Sequence, residues 1–339
     1  MTTIHITGTH GKSDILVGES ISNFYRYVVG KRVVIVTDTN VQGLYGQLWS
    51  DLPVVVIEQG ENAKTLGTIE KIIHQLLQLN AGRNTFLLGI GGGIVSDITG
   101  FVASIFMRGI RFGFVSTTLL SQVDASVGGK NGVNFEGFKN MIGVFNQPDF
   151  VICDPDVLQT LPKEEISNGF AEIVKHAIIK DEKLFDFLEK NAGMLLNLER
   201  GAMQHVVKTS VEIKAAIVNS DEKEHGERRL LNFGHTFGHA IEKVTGLSHG
   251  KSVSIGMVIA SKLSCEMGFL KEFHFERIKN LLLRLGLPVN AELDYFKVLD
   301  AIMKDKKCED DSIYFILPEK PGSAFIEALP LKKIMNFQF

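Results

Sequence analysis

Only three cysteines occur among 339 residues, and Cys153, Cys265 and Cys308 stand far apart. That spacing excludes a disulfide framework and a paired-cysteine zinc site, and it fits a reducing, cytoplasmic compartment. An excess of one charge is lacking too: 36 basic and 39 acidic residues leave a formal net charge of −3. Without a positive field there is little to hold a phosphate backbone, so nucleic acid is not an expected partner. The opening stretch MTTIHITGTHGKSD lacks the cationic start and apolar core of a secretion signal. Apolar runs long enough to pass for a membrane span are absent but for one candidate, residues 84–107, where Asp97 is the single charge. Its glycines and the strand-like TFLLGI identify a core strand, a glycine turn and a buried helix, so no membrane association is expected.

What is present suits a globular chain. Hydrophobic residues make up 45% and charged residues 22%, enough to bury large cores, and the length predicts about two domains. Proline is scarce at eight, yet Pro148, Pro155 and Pro162 cluster and mark a boundary. The expected domains are therefore residues 1–155 and 156–339. In the first, β-branched runs alternate with helical stretches: VVIVTD (33–38), a short helix near 44–50, VVVIEQG (54–60), a helix over 66–79, TFLLGIGGG (85–93), a helix over 94–106, and FGFVSTTLL (112–120). Continuous apolar strands between helices indicate a Rossmann-like α/β domain with a parallel sheet covered on both faces. Ligands of such sheets bind beyond the carboxyl ends of the strands. The second domain reads as mostly α-helical, over 163–180, 182–190, 199–219, 233–245, 252–267, 272–285 and 292–305. A late pair, IYFILP (313–318) and AFIEAL (324–329), predicts a small hairpin.

Two segments carry the chemistry. GIGGGIVSD (89–97) joins a strand to a helix, and its glycines let backbone N–H groups approach a phosphate. Ile94 fills the third glycine position of GxGxxG, so phosphate or pyrophosphate is indicated without specifying a dinucleotide; a tight strand–helix crossing would also demand small residues. The second segment is NFGHTFGH (232–239), followed by Ser248-His249-Gly250. His235 and His239 share a helix face, and a helical hairpin brings His249 back alongside His235. Converging imidazoles suit Zn²⁺, with a carboxylate from elsewhere completing the set. Glu172, on the largely apolar helix NGFAEIVKH, is a candidate, because an unpaired carboxylate is costly to bury. Taken singly, each histidine or glutamate is equally compatible with an ordinary core or surface position.

A third feature is a scatter of cations beside glycines and polar turns: Arg108, Lys130, Lys139 with Asn140, Lys175, Lys214 and Arg228. Most cations are solvated surface groups, but Lys130 and Lys175 interrupt small or apolar sequence. Together they point to an anionic substrate carrying phosphate, carboxylate or both. The lysines of MKDKKCEDD (303–311) fit a charged helix end equally well.

GENAK (60–64), GGGIVSD, STTLLSQVDASVGGKNGVN (116–134), FKNMIG, FAEIVKH, SDEKEHGERRLLNFGHTFGHAIE (220–242), HGKSVSIGM and DKK, in this order, resemble the 3-dehydroquinate synthase family of sugar-phosphate cyclases. The resemblance implies catalytic NAD, a divalent metal (Zn²⁺ or Co²⁺) and a homodimer in the shikimate pathway. Its reaction converts 3-deoxy-D-arabino-heptulosonate 7-phosphate to 3-dehydroquinate and phosphate. By the same resemblance Glu172, His235 and His249 are the metal ligands. Asp38, Asn40, Glu61, Lys64, Gly92, Gly93, Asp97, Thr117, Thr118, Lys130 and Lys139 line the NAD site. Lys214 and Arg228 hold the substrate carboxylate. Lys130, Asn140, Asn232 and His239 surround the phosphate, with Arg108 reaching across from a second subunit and Lys306 or Lys307 joining them. Asp124, Lys175 and Glu224 address ring hydroxyls and the metal-bound end. Ser116 and Phe138 stand where the family often has proline and glycine.

Two enzyme alternatives share much of this pattern. A cyclase making a valiolone or deoxy-inosose has a substrate without the carboxylate that Lys214 and Arg228 would bind. A metal-dependent polyol dehydrogenase releases NADH and has no need of a dense cationic pocket. A non-catalytic sugar-phosphate sensor needs no three-ligand metal centre.

Overall fold

The computed structural model describes residues 1–9, 11–303, 308–309, 312–335 and 337. The chain divides into two compact units, 1–161 with 214–222, and 162–213 with 223–339.

In the first unit, β1 (Thr2–Gly8), β2 (Gly11–Val17), β3 (Arg32–Asp38), α1 (Thr39–Tyr45), β4 (Val54–Ile57), α2 (Leu66–Gln78), β5 (Thr85–Gly91), α3 (Gly93–Ile105), β6 (Phe112–Ser116), β7 (Lys130–Phe135), β8 (Phe138–Phe145) and β9 (Phe150–Cys153) follow in order. Seven strands form one sheet in the order β1-β2-β9-β6-β5-β3-β4. All neighbours are parallel except β1 and β2, which form an antiparallel hairpin at one edge. β5 is buried along its whole length, as a central strand covered on both faces must be. The apolar run 84–107 is therefore β5 plus α3, and among the described residues no helix is long and apolar enough to cross a membrane. α2 keeps Ile69, Ile72 and Leu76 on its inner face, and the Thr65 side chain caps it by accepting from Thr68 N. Strands β3, β5 and β6 end at Asp38, Gly91 and Ser116, which places the candidate nucleotide residues at one end of the sheet.

The second unit contains α4 (Lys163–Lys180), α5 (Glu182–Leu196), the first part of α6 (Arg200–Ser220), α7 (His235–Thr245), α8 (His249–Glu266), α9 (Glu272–Arg284), α10 (Tyr295–Met303), β10 (Cys308–Glu309), β11 (Ser312–Lys320), β12 (Ser323–Pro330) and α11 (Leu331–Met335). The expected late hairpin is present as β11 and β12, extended by β10 into a three-stranded antiparallel sheet.

Helix α4 is nearly all buried, so its apolar sequence reflects a core position. It packs on α8 through Gly250, where a side chain would meet the Asn168 backbone at 2.4 Å. Helices α7 and α8 cross just as closely. A Cβ on Gly256 would lie 2.1 Å from the Gly234 carbonyl oxygen and 2.7 Å from Gly238 N. Gly234 itself adopts φ +77°, a conformation that favours glycine. These contacts without side chains draw α4 and α7 close against α8.

Candidate metal centre and nucleotide site

In the second unit, one ligand atom each from Glu172, His235 and His249 lie within 4.8 Å of one another. Glu172 projects from mid-α4, whereas His235 and His249 are the first residues of α7 and α8. Glu172 Oε1 is 3.5 Å from His235 Nε2 and 3.3 Å from His249 Nε2, so both imidazoles turn the same ring nitrogen toward one carboxylate. The Lys175 ammonium pairs with the other oxygen of Glu172, and both side chains are essentially inaccessible. His239 stands beside the group, its ring centroid 5.2 Å from that of His235 and 6.2 Å from that of His249. Two neutral-capable imidazoles and a carboxylate form the donor set of a catalytic zinc-type site, so these residues fit a divalent cation.

The electrostatics are those of a cation site held together by proton and ammonium charges. Burial pushes the Glu172 carboxyl up, but Lys175, His235 and His249 outweigh it and hold it well below the ordinary carboxylate range. Burial, with the Lys175 charge, pushes His235 well down despite Glu172. Burial also pulls His249 down, yet its bonds to Glu172 and Glu242 prevail and carry it to about 9. The same unit holds Asn232, which donates to Glu224 Oε1 at 2.5 Å, and Arg228, which is buried. Glu224 adopts φ +63°, in the left-handed region.

The nucleotide candidates lie in the first unit. The glycine run 89–93 does two jobs. A side chain on Gly89 would meet Thr99 at 2.8 Å and one on Gly91 would meet Val95 at 2.5 Å, so these two permit the strand–helix crossing. Gly92 caps α3 with no side-chain partner, and Gly93 opens it, leaving backbone N–H groups for an anion. Thr117 N donates to Gly91 O at 2.9 Å, and a Cβ on Gly92 would touch Thr118 at 3.0 Å. Asp38 caps α1 by accepting from Asn40 N and Val41 N, both at 2.9 Å.

A polar chain links GENAK to the β7–β8 hairpin. Lys64 donates to Asp97 and to Asn140 Oδ1, Asn140 N donates to Asn134 Oδ1 at 2.9 Å, and Asn134 Nδ2 donates to Glu61 Oε1 at 2.7 Å. Asn140, expected beside phosphate, is thus placed on Lys64, and Asn134 is a member that sequence reading missed. Burial raises the Asp97 carboxyl to about 6 against the pull of Lys64. The folded state therefore holds the extra proton between about pH 4 and 6, and stability falls as pH rises through that window. Replacing Lys64 with Met is expected to move the Asp97 midpoint further up, read from its carboxyl carbon by NMR; an unmoved midpoint would contradict the pairing.

Lys214, counted with the first unit, bonds to Asp124 through both its carboxylate and its backbone oxygen, the latter at 2.7 Å. Lys130, Lys139 and Arg108 are exposed, and Arg108 sits at φ +67° just before Gly109. Lys306 and Lys307 lie outside the described residues. Sequence reading also overlooked Glu242, whose carboxylate lies behind His249 at 3.5 Å from Nδ1. Its position on the His235 and His239 face of α7 was the available clue.

An α/β unit with a parallel sheet, followed by a mostly helical unit, is a fold that this chain shares with solved cyclases. The 2-epi-5-epi-valiolone synthase of Streptomyces hygroscopicus, with NAD⁺ and Zn²⁺ bound, superposes with a TM-score of 0.89 at 29% identity, over 97% of this chain and 96% of that one. A 2-deoxy-scyllo-inosose synthase complexed with carbaglucose-6-phosphate, NAD⁺ and Co²⁺ shares the fold, with TM-score 0.88, 23% identity and 98% of each chain. The family descriptions 3-dehydroquinate synthase N-terminal and C-terminal match residues 54–168 and 169–308. A 3-dehydroquinate synthase of Thermodesulfovibrio yellowstonii is 42% identical over 338 residues, covering 95% of this chain and 93% of that protein. The chain belongs to the 3-dehydroquinate synthase family.

Proposed function

We propose that this chain converts 3-deoxy-D-arabino-heptulosonate 7-phosphate to 3-dehydroquinate and inorganic phosphate, as a cytoplasmic homodimer of the shikimate pathway. The observation that carries the reading is the Glu172, His235 and His249 group, the first two buried and the third half-buried, with ligand atoms within 4.8 Å, in a chain of this family. Those three residues would hold the divalent cation. Asp38, Asn40, Glu61, Lys64, Gly92, Gly93, Asp97, Thr117, Thr118, Lys130 and Lys139 would hold NAD, with Asp38 or Glu61 accepting a ribose hydroxyl. When bound, the two would supply reversible oxidation of the C5 alcohol and polarisation of its oxygen.

The chain's own residues bind and orient. Lys214 and Arg228 hold the substrate carboxylate, a requirement that cyclases of uncharged sugar phosphates lack. Lys130, Asn140, Asn232 and His239, with Arg108 of a second copy, form a cationic and polar cradle for the phosphate. The leaving phosphate can itself take the proton lost from C6, so the cradle needs positive charge more than a strong base. Asp124, Lys175 and Glu224 address the ring hydroxyls. Holding the ring-opened enolate and its carbonyl in reach of one another supplies much of the advantage in the closing aldol step.

The test is phosphate release from the heptulosonate phosphate with sub-stoichiometric NAD, with and without a chelator. Many turnovers per NAD, abolished by the chelator, are expected. Stoichiometric accumulation of NADH would identify a dehydrogenase instead. Lys214→Ala is expected to weaken carboxylated substrate by about 1.5–3 kcal/mol, the worth of a charged hydrogen bond. Unchanged KM and kcat in that variant would remove Lys214 from the site.

A further inference from the structure

The geometry points to Glu242 as the positioning residue that fixes His249 for metal binding. This inference rests on the metal-site reading above and adds a residue to it. Glu242 Oε2 lies 3.5 Å from His249 Nδ1, while His249 Nε2 lies 3.3 Å from Glu172 Oε1. The imidazole is therefore bracketed by carboxylates, one on each nitrogen. His235 repeats the plan, with Nδ1 at 3.0 Å from the Phe233 carbonyl oxygen and Nε2 at 3.5 Å from Glu172 Oε1. Both rings thus have an acceptor behind Nδ1 and the shared carboxylate in front of Nε2.

A metal takes the lone pair of one ring nitrogen, and the partner of the other nitrogen decides which one is available. An acceptor behind Nδ1 retains the proton there and presents Nε2 bare. For His235 that acceptor is backbone. For His249 it is the side chain of Glu242, which is only 13% exposed and so has a restricted range of positions. Positions 235, 239 and 242 fall on one face of α7, so the helix carrying one ligand also orients the other. The anionic acceptor further increases the electron density that His249 offers to a cation.

The test measures Zn²⁺ affinity of the full chain by chelator competition, together with the His249 tautomer in zinc-loaded parent protein by ¹⁵N NMR. Glu242→Ala is expected to weaken zinc binding about 10–100-fold, the usual cost of losing such a partner, with the metal-free chain still unfolding in one cooperative transition. Glu242→Gln keeps an acceptor oxygen without the charge and is expected to fall between parent and Ala variant. The zinc-loaded parent should carry its His249 proton on Nδ1. Affinity within about twofold of the parent in Glu242→Ala, or metal bound through Nδ1, would overturn the assignment. Should the Ala variant fail to fold, the Gln variant and the parent tautomer decide the matter, parent-like affinity in the former refuting it. Failure of the metal reading itself looks different: the parent would then bind no more zinc than Glu172→Gln.

Discussion

Glu172→Gln is expected to lose its bound metal and, in the metal-free protein, about 3 kcal/mol of stability, for two separable reasons. The first is coordination. Gln is the same shape but offers a neutral oxygen, so the cation loses its anionic ligand of the three. The affinity loss should exceed the roughly 100-fold that removal of an outer partner can cost. The second is the Lys175 ammonium, which is buried against this carboxylate. With a neutral amide opposite, that ammonium loses the Glu172 carboxylate in a dry setting, where breaking a pair costs several kcal/mol. A second substitution, Lys175→Met, should therefore restore thermal stability while leaving metal binding lost. The pH dependence has a definite sign. Lys175, His235 and His249 overcome the effect of burial and depress the Glu172 carboxyl below 4.5 in the folded state, so its contribution is present above that pH and disappears as pH falls through the folded value. Parent and variant stabilities should accordingly converge in acid. A Gln variant with parental zinc content would remove Glu172 from the ligand set.

The helices were legible because burial of one face imposes a period, and the parallel strands because burial of both faces makes them continuous apolar runs. Residues 66–79 read as a helix and form Leu66–Gln78, and 163–180 forms Lys163–Lys180. Elsewhere local chemistry blurred the ends. The helix expected over 182–190 continues to Leu196, passing through a non-helical Asn191, because Ala192 and Leu195 still face the core. The helix expected over 252–267 starts three residues earlier, at His249, which the ligand reading already placed at a helix start; there Ser248 donates to Asn168 and anchors the first turn. The β7–β8 hairpin went unread because β8 is largely exposed and has no alternation to betray it. At the site, the spacing of His235 and His239 exposed the cluster, a carboxylate on a largely apolar helix made Glu172 a candidate, and the resemblance gave it the same role. The roles of Gly234, Gly250 and Gly256 were not legible, because each depends on which backbone lies opposite. The same holds for Asn134, whose partners Glu61 and Asn140 belong to segments far apart in the chain.

Gly256→Ala should be more damaging than any other single methyl added to α8, although no expected ligand is altered. The new Cβ would lie 2.1 Å from the carbonyl oxygen of Gly234 and 2.7 Å from Gly238 N. Both are backbone atoms, so no side-chain rotation relieves the clash and α8 has to retreat from α7. Overpacking of this kind typically costs about 1–3 kcal/mol, and a purely backbone contact belongs at the upper end. The retreat also separates His249 from His235, which begin the two helices involved. Metal–ligand distances tolerate only about 0.2 Å, so a shift too small to unfold the unit still weakens the metal. The control is Gly193→Ala on α5, where a Cβ meets nothing within 4 Å. There the methyl is expected to raise stability by about 0.5–1 kcal/mol through the helix preference of alanine. Calorimetry and zinc content read both effects. A Gly256→Ala protein as stable and as zinc-rich as its parent would show that α7 and α8 are not in glycine-to-backbone contact.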